Sequence, residues 1–174
     1  NAGTTVNFVQ PTGTSTNIVV AANNGFTTTT ANDASGILGG WATVGGTEWA
    51  TNNGTNIVAY TGYTDLTGAG PSISNGVTSN IRINASSTGD VGQGAGTTTV
   101  NTIRSADSLA RTITVGSGNT LRLGSSGGIL ATGAGGLTIG ASGNAGFLTA
   151  GGADNTAGEL FLNNTTGVTV NSVI

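Results

Sequence analysis

The sequence repeats one short phrase, an apolar-x-apolar triplet followed by a turn rich in glycine or asparagine. Apolar residues at every second position predict a short β-strand with one buried face, which is not stable alone. When such strands recur every ~8 to 13 residues, each turn of chain can bury its apolar positions on the next. We therefore expect an all-β fold, a right-handed parallel β-helix (β-solenoid). The clear triplets are Ile113-Thr114-Val115, Leu121-Arg122-Leu123, Leu137-Thr138-Ile139 and Val168-Thr169-Val170, with looser copies at Gly128-Ile129-Leu130, Phe147-Leu148-Thr149 and Leu160-Phe161-Leu162.

The same alternation predicts which side chains face the core, because successive residues of a strand point to opposite faces. The middle residue of each clear triplet is polar and should face outward: Thr114, Arg122, Thr138 and Thr169. The flanking residues should face inward: Ile113, Val115, Leu121, Leu123, Leu137, Ile139, Val168 and Val170.

The composition favours pleated structure over disorder. Glycine supplies 32 of 174 residues, and charged residues only 6%, far below the roughly 25% of an ordinary soluble domain. Low charge with modest hydrophobicity often accompanies disorder. Here, however, Val, Ile and Thr are frequent and regularly placed, and these residues favour strands.

Several residue types are missing altogether. The chain contains no Cys, His, Met or Lys. Disulfides, thiolate or imidazole metal sites and catalysis by Ser-His, Cys-His or Ser-Lys are therefore excluded, as is a lysine isopeptide crosslink. We expect no cofactor. The absence of Met also predicts that Asn1 follows a cleavage or a boundary, as in a secreted protein whose signal peptide has been removed.

The charge distribution argues against two classes of partner. The net charge is −3, and the four arginines are scattered (Arg82, Arg104, Arg111 and Arg122). Nucleic-acid binding needs a clustered basic face, so we expect no nucleic-acid partner. No apolar run is long enough to span a membrane, so no membrane insertion of this segment is expected. We expect the arginines on solvent-facing strand positions, paired with Asp90 or Asp107.

We interpret residues 1–174 as a single solenoid domain with three parts. Residues 1–34 would form N-terminal strands or a cap, residues 35–96 irregular coils rich in aromatic residues, and residues 97–174 regular coils. The one helix candidate is Ser105–Arg111, with Ser105 or Asp107 as the N-cap. The final strand pattern ends without a polar cap, which predicts that this domain belongs to a longer chain or an assembly.

The aromatic block resembles a known family. Ile37-Leu38-Gly39-Gly40-Trp41-Ala42-Thr43, Glu48-Trp49-Ala50-Thr51 and Asn56-Ile57-Val58-Ala59-Tyr60 are similar to the signature of secreted proteins with autotransporter-associated β-strand repeats, as in Verrucomicrobia and Planctomycetes. The resemblance extends from about Ser35 to the end of the chain. It implies a β-helix like that of an autotransporter passenger, displayed at the cell surface outside the cell. No stretch of the 174 residues resembles the membrane-anchoring barrel or the long tandem array of that family, so self-secretion is not among the expectations taken from it.

Few residues suggest chemistry. Asp154 and Glu159 are the best calcium candidates, but a plain Asx turn is the favoured interpretation of this segment, so we expect no metal. Polysaccharide-degrading β-helical enzymes need two nearby carboxylates. The spacing of the acidic residues brings no two together, so we expect no catalytic residues and no enzyme. The acidic residues considered are Asp65, Asp90, Asp107, Asp154 and Glu159.

The four aromatic residues of the block allow two interpretations. Trp41, Trp49, Tyr60 and Tyr63 could form a surface on which sugars stack, as in an adhesin. Alternatively, the tryptophans could plug a solenoid end or seal a core. A packing role is the simpler interpretation in a chain this poor in aromatic residues.

These observations favour an extracellular structural β-helix that forms or extends a cell-surface fibre or matrix by end-to-end stacking. The expected partner is a second copy in head-to-tail contact, or the rest of a longer passenger chain. The residues predicted for self-association are Val6, Phe8, Ile18, Val168, Val170 and Ile174. The alternative is an adhesin domain that binds surface glycans through the aromatic block, and a polysaccharide-degrading enzyme comes third.

Overall fold

A computed structural model of the chain describes residues 3–9, 25–143, 146–151 and 158–174. The all-β prediction is confirmed, since the described residues form sixteen strands and no helix. The predicted strand Asn17–Val20 lies outside the described residues. The strands are β1 (Val6–Phe8), β2 (Ala42–Val44), β3 (Glu48–Asn52), β4 (Ile57–Ala59), β5 (Thr64–Ala69), β6 (Ser72–Ile73), β7 (Gly76–Thr88), β8 (Val91–Gln93), β9 (Thr97–Ser105), β10 (Arg111–Thr114), β11 (Thr120–Leu123), β12 (Gly128–Ala131), β13 (Leu137–Ile139), β14 (Phe147–Thr149), β15 (Phe161–Asn164) and β16 (Val168–Val170).

The helix expected at Ser105–Arg111 is wrong. Ser105 ends β9 and Arg111 begins β10, so the segment between them is a short turn. The carboxylate of Asp107 accepts a hydrogen bond from the Leu109 N–H at 3.0 Å. This hydrogen bond satisfies a backbone N–H of the turn within the turn itself. A stable helix would have needed several further residues. Among the described residues no helix could cross a membrane.

Five strands form one purely parallel sheet in the order β16-β13-β10-β8-β6. The register is continuous at its centre. Ile113 lies beside Val91 on one side and Ile139 on the other, and Ile139 lies beside Val170. Each strand thus places an apolar side chain directly above that of its neighbour.

Seven further strands form a second parallel sheet with a branch (β5, β7, β9, β11, β12, β14 and β15). The long strand β9 carries two partners on the same side: Thr97–Val100 pairs with β11, and Ile103–Ser105 pairs with β12. β14 then pairs with β11, and β15 with β12. On its other side β9 pairs with β7, which pairs with β5.

One hydrophobic core joins the two parallel sheets. It contains inward-facing residues of successive strands, and the predicted inward positions Ile113, Val115, Leu121, Leu123, Leu137 and Ile139 are all buried. Val168 and Val170 are half-buried and pack against the same core. The outward prediction is confirmed for Thr114 and Thr169, which are exposed, while Arg122 and Thr138 are half-buried. The period-two pattern therefore predicted the core of this region.

The aromatic block forms a separate four-stranded sheet in the order β1-β2-β3-β4, which we call the mixed sheet. β1 and β2 are parallel, whereas β2, β3 and β4 are antiparallel. Gly45 and Gly46 connect β2 to β3, and both have positive φ (63° and 69°). A Gly-Gly pair in this conformation is a hairpin signal.

The mixed sheet lies against β12 and β15 through very close backbone contact. The Gly40 N–H donates to the Ser126 carbonyl at 2.5 Å, and the Asn163 side-chain amide donates to the Gly40 carbonyl at 2.8 Å. A Cβ at position 40 would lie 2.8 Å from backbone atoms of Gly127. Since real Cβ atoms do not approach a backbone so closely, only glycine allows this contact.

We predict a large difference in stability between neighbouring substitutions on β10. Ile113→Ala removes a fully buried side chain and should lower the free energy of unfolding by about 2–5 kcal/mol. Thr114→Ala changes an exposed side chain and should lower it by less than about 1 kcal/mol. Urea denaturation of both variants measures the difference. Equal losses would contradict the assignment of these faces.

Candidate functional site

Trp49 is a core residue in this structure. Its side chain is 0% exposed and packs with Ile37 and Leu130 between the mixed sheet and the seven-stranded sheet. A ring without exposed surface offers no face to a sugar, so Trp49 must be removed from the candidate binding residues. The packing interpretation of this tryptophan is the one that the structure supports.

Tyr60 and Tyr63 close the edge of the same core. Their rings meet edge-on, with centroids 5.0 Å apart. The Tyr63 hydroxyl accepts a hydrogen bond from the Trp49 backbone N–H at 3.2 Å, and burial raises the pKa of this phenol well above its usual value. The guanidinium groups of Arg82 and Arg104 lie 5.0 and 5.4 Å from the centre of the Tyr63 ring. These cation–π contacts occupy ring surface that a ligand would need.

Trp41 lies apart from the other three aromatic candidates. It is half-buried and packs with Phe8 and Val44 against the core of the mixed sheet. It also lines a cleft of about 380 Å³ between the mixed sheet and β15, together with Thr4, Val6, Glu159 and Phe161. The structure therefore does not gather the four predicted residues into one platform. It places a single tryptophan beside a carboxylate and a second aromatic ring.

The predicted self-association residues at the C-terminal end lie on or near the edges of the parallel sheets. β16, with Val168 and Val170, is the outermost strand of the five-stranded sheet. Ile174 is 77% exposed. Val173 forms an isolated parallel bridge with Phe147 and thereby continues the stack beyond β14.

The predicted residues at the N-terminal end are placed differently from the expectation. Val6 and Phe8 lie in β1, which pairs with β2 in the mixed sheet, and the Gly3 N–H donates to the Glu159 carboxylate at 2.8 Å. β1 therefore lies beside the C-terminal part of the molecule. The strand at the opposite edge of the five-stranded sheet from β16 is β6. A head-to-tail contact through Val6 and Phe8 is thus not supported, and Ile18 lies outside the described residues.

Two of the arginines form ion pairs between strands. Arg104 joins β9 to the mixed sheet, and Arg82 joins β7 to its neighbour β5. Arg104 is buried, and its guanidinium donates to the Thr47 carbonyl at 2.7 Å and to the Glu48 carboxylate at 2.6 Å. Arg82 donates two hydrogen bonds to Asp65, at 2.6 and 2.8 Å. The hydrogen bonds from Arg82 hold the pKa of Asp65 below its usual range. These pairs join strands distant in sequence.

The pair of Arg111 and Asp107 is buried, contrary to the solvent-facing position expected for the arginines. Arg111 Nε donates to Asp107 Oδ2 at 2.7 Å, and another nitrogen of the same guanidinium donates to the Ser87 carbonyl at 2.8 Å. Burial alone would raise the pKa of Asp107. Hydrogen bonds from the Leu109 N–H and from Arg111 outweigh burial, so the pKa lies below its usual value.

The other carboxylates considered have structural positions. Asp90 accepts a hydrogen bond from the Thr112 N–H at 2.9 Å, and Glu159 accepts one from Gly3. Asp154 lies outside the described residues. Within the described ranges, no group of three or more acidic, His or Cys residues could hold a metal ion.

A polar cluster that the sequence analysis did not identify lies at the junction of the mixed and seven-stranded sheets. The Asn101 side-chain amide donates to Ser35 Oγ at 2.7 Å and to the Asn80 side-chain oxygen at 3.1 Å. Asp33 in turn accepts a hydrogen bond from Ser35 Oγ at 2.6 Å. Asn80 pairs with Thr102, the residue after Asn101, where β7 lies beside β9. The contact between the two asparagines depends on this pairing, which cannot be read from a single sequence. The cluster satisfies buried polar groups.

Comparison with known proteins gives no match of the chain to a family model, to a curated protein or to a solved structure. The resemblance to autotransporter-associated repeats stays a prediction.

We predict that Asp107→Asn destabilises the protein far more than Asp65→Asn. Removing one partner of a buried ion pair should cost about 3–5 kcal/mol, whereas a half-exposed pair contributes about 0.2–1 kcal/mol. Because folding lowers the pKa of Asp107, its contribution to stability is present above the unfolded-state pKa of about 3.9 and is lost as the pH falls through the folded-state pKa. Asp107→Asn should therefore also flatten the loss of stability in acid. Urea midpoints measured from neutral pH into acid test both statements. Similar effects of the two variants would contradict them.

Proposed function

We propose that this chain is a structural segment of a right-handed parallel β-helix that works outside the cell as part of a surface fibre or matrix. In this proposal its task is to build a rigid rod whose outer faces are held at fixed spacing. Localisation outside the cell is implied by the resemblance of residues 35–174 to autotransporter-associated repeats.

The observation that carries the proposal is the stacking of inward-facing residues in columns. Val91, Ile113, Ile139 and Val170 form one column, in which each residue lies beside the next in parallel register. Ile81, Ile103, Ile129 and Leu162 form a second column in the other parallel sheet. Along the chain, residues of the two columns alternate, as expected when a solenoid adds one residue to each column with every coil. Parallel connections of this type are almost always right-handed.

A glycan-binding function is the second candidate, and one specific observation favours it. The cleft beside Trp41 combines an aromatic ring with the exposed carboxylate of Glu159 and with Phe161. Sugars bind to such sites by stacking a ring face on the aromatic side chain while hydroxyl groups donate to the carboxylate. This candidate replaces the predicted four-residue platform by a smaller site.

We predict that the chain accepts an additional layer at its C-terminal end. A copy of residues 115–140 appended after Asn171, in place of residues 172–174, should stack its three strands on β14, β15 and β16. The added layer would bury Leu162, Val168 and Val170, each worth up to about 1.5–3 kcal/mol when fully buried. The urea midpoint should rise, and the added segment should resist proteolysis.

The matched control is the same extension with its inward-facing leucines and isoleucines replaced by serine. This control should gain no stability and should be cleaved readily, because the appended strands could not bury an apolar face. If both extensions are cleaved equally fast, the proposed solenoid architecture is wrong.

We also predict the outcome of a glycan-array measurement. If the Trp41 cleft binds sugars, Trp41→Ala should reduce the signal more than tenfold, which corresponds to about 1.4 kcal/mol. Trp49→Phe should leave the signal unchanged, because Trp49 has no exposed surface. Absence of any signal from the unmodified chain would remove this candidate.

A further inference from the structure

The connection between β3 and β4 carries an exposed Asn-Gly pair. Asn53, Gly54 and Thr55 are all exposed, and Gly54 has a positive φ of 94°. A Cβ built at position 54 would meet no other atom within 4 Å, so no side chain packs against this glycine. The peptide bond between Asn53 and Gly54 is therefore open to water.

The Asn53 side chain is folded back over this peptide bond. Its Oδ1 accepts hydrogen bonds from the backbone N–H groups of Thr55 at 3.0 Å and of Asn56 at 2.8 Å. The bond from Thr55 closes an Asx turn, in which the side-chain carbonyl takes the place of a backbone carbonyl. Both Asn53 Cγ and the Gly54 nitrogen belong to the small ring that this hydrogen bond closes, so the turn keeps the two atoms near each other.

The same hydrogen bonds favour attack of a nucleophile on the Asn53 side chain. Two N–H donors on one carbonyl oxygen stabilise the negative charge that develops there when a nucleophile adds to Cγ. The Gly54 N–H donates to Asn52 Oδ1 at 2.9 Å, which fixes the orientation of this peptide group. Holding two reacting groups in place removes much of the entropy cost of their reaction.

We propose that Asn53–Gly54 is a site of self-modification, at which asparagine becomes aspartate or isoaspartate without an enzyme. The Gly54 nitrogen gives its proton to hydroxide and forms a bond to Asn53 Cγ. The bond from Cγ to Nδ2 then breaks, and the amide nitrogen takes a proton from water and leaves as ammonia. Water opens the resulting succinimide at either of its two carbonyls. The net change is the hydrolysis of one amide, with water as the only co-reactant.

The other two Asn-Gly pairs of the sequence are Asn24–Gly25, which begins outside the described residues, and Asn75–Gly76. Asn75 Oδ1 accepts a hydrogen bond from the Thr99 N–H at 2.7 Å, which ties this side chain to β9 instead of to its own peptide. Gly76 begins β7 and pairs with Val100. Ring closure at this pair would require both contacts to break, so the folded chain protects it.

The two products have different effects on the β3–β4 connection. Aspartate still accepts the hydrogen bonds from the Thr55 and Asn56 N–H groups, and its charge strengthens them. Isoaspartate adds one carbon to the main chain and so disturbs the hydrogen bond from the Asn53 N–H to the Asn56 carbonyl, which measures 3.0 Å. The substitution Asn53→Asp should therefore give a urea midpoint no lower than that of the unmodified chain.

The test follows both sites by mass spectrometry while the folded 174-residue chain is kept at mildly alkaline pH. Chymotrypsin cuts the denatured chain after Trp49 and Tyr60, so Asn53 and Asn75 fall on different peptides. Asn53 should be converted at least about tenfold faster than Asn75, which corresponds to about 1.4 kcal/mol of activation free energy. In urea the two sites should react at similar rates, because only the local sequence then matters. An isoaspartate-specific methyltransferase should label the Asn53 peptide, since succinimide opening produces isoaspartate.

Gly54→Ala is the matched variant. Its methyl group hinders approach of the backbone nitrogen to Cγ, so conversion of Asn53 should slow at least about tenfold while that of Asn75 is unchanged. Equal rates at the two sites in the folded chain, slower conversion of Asn53 in the folded chain than in urea, products without isoaspartate, or an unchanged rate in Gly54→Ala would each overturn the proposal. A lowered urea midpoint of Asn53→Asp would contradict the acceptor role given to Asn53 Oδ1. None of these outcomes depends on the proposed β-helix.

Discussion

The structure depends on one interaction, the parallel pairing of short strands that lie far apart in the sequence. A three-residue strand such as β13 buries one face and forms few hydrogen bonds, so it is unstable alone. Between β10 and β16 it is paired on both edges, and Ile139 is covered by Ile113 and Val170. Each layer is therefore stable only because of its neighbours, and Val168 and Val170 in β16, which pairs on one edge among the described strands, are half-buried where Ile113 and Ile139 are buried.

The mixed sheet stabilises the parallel stack from the side. Trp49 fills the space between the mixed sheet and the seven-stranded sheet. Arg104 is buried beside the mixed sheet, where it forms an ion pair with Glu48. Buried ion pairs add little stability compared with apolar packing, but they disfavour any arrangement in which a charge is left unpaired. Arg104 therefore favours one position of the mixed sheet on β9.

Local patterns allowed part of this fold to be predicted from the sequence. Alternation in Leu121-Arg122-Leu123 predicts a strand and its buried face, because period two depends only on neighbouring residues. Trp49 looks the same in sequence whether it is buried or exposed, since its burial depends on Leu130, far along the chain. The same applies to the Asn80–Asn101 contact and to the position of β1 beside β15. By contrast, the Gly45-Gly46 pair is a local signal, and it indicates the hairpin turn that follows β2.

The stacked parallel architecture is tested most directly by the backbone contacts between strands, measured by nuclear Overhauser effects in solution. Stacked parallel strands should give parallel-register contacts that link Ile113 to Ile139 and Ile139 to Val170, with slow amide exchange along this column. Contacts instead between strands adjacent in sequence, with β10 and β11 or β12 and β13 paired as antiparallel hairpins, would contradict the stacked parallel architecture.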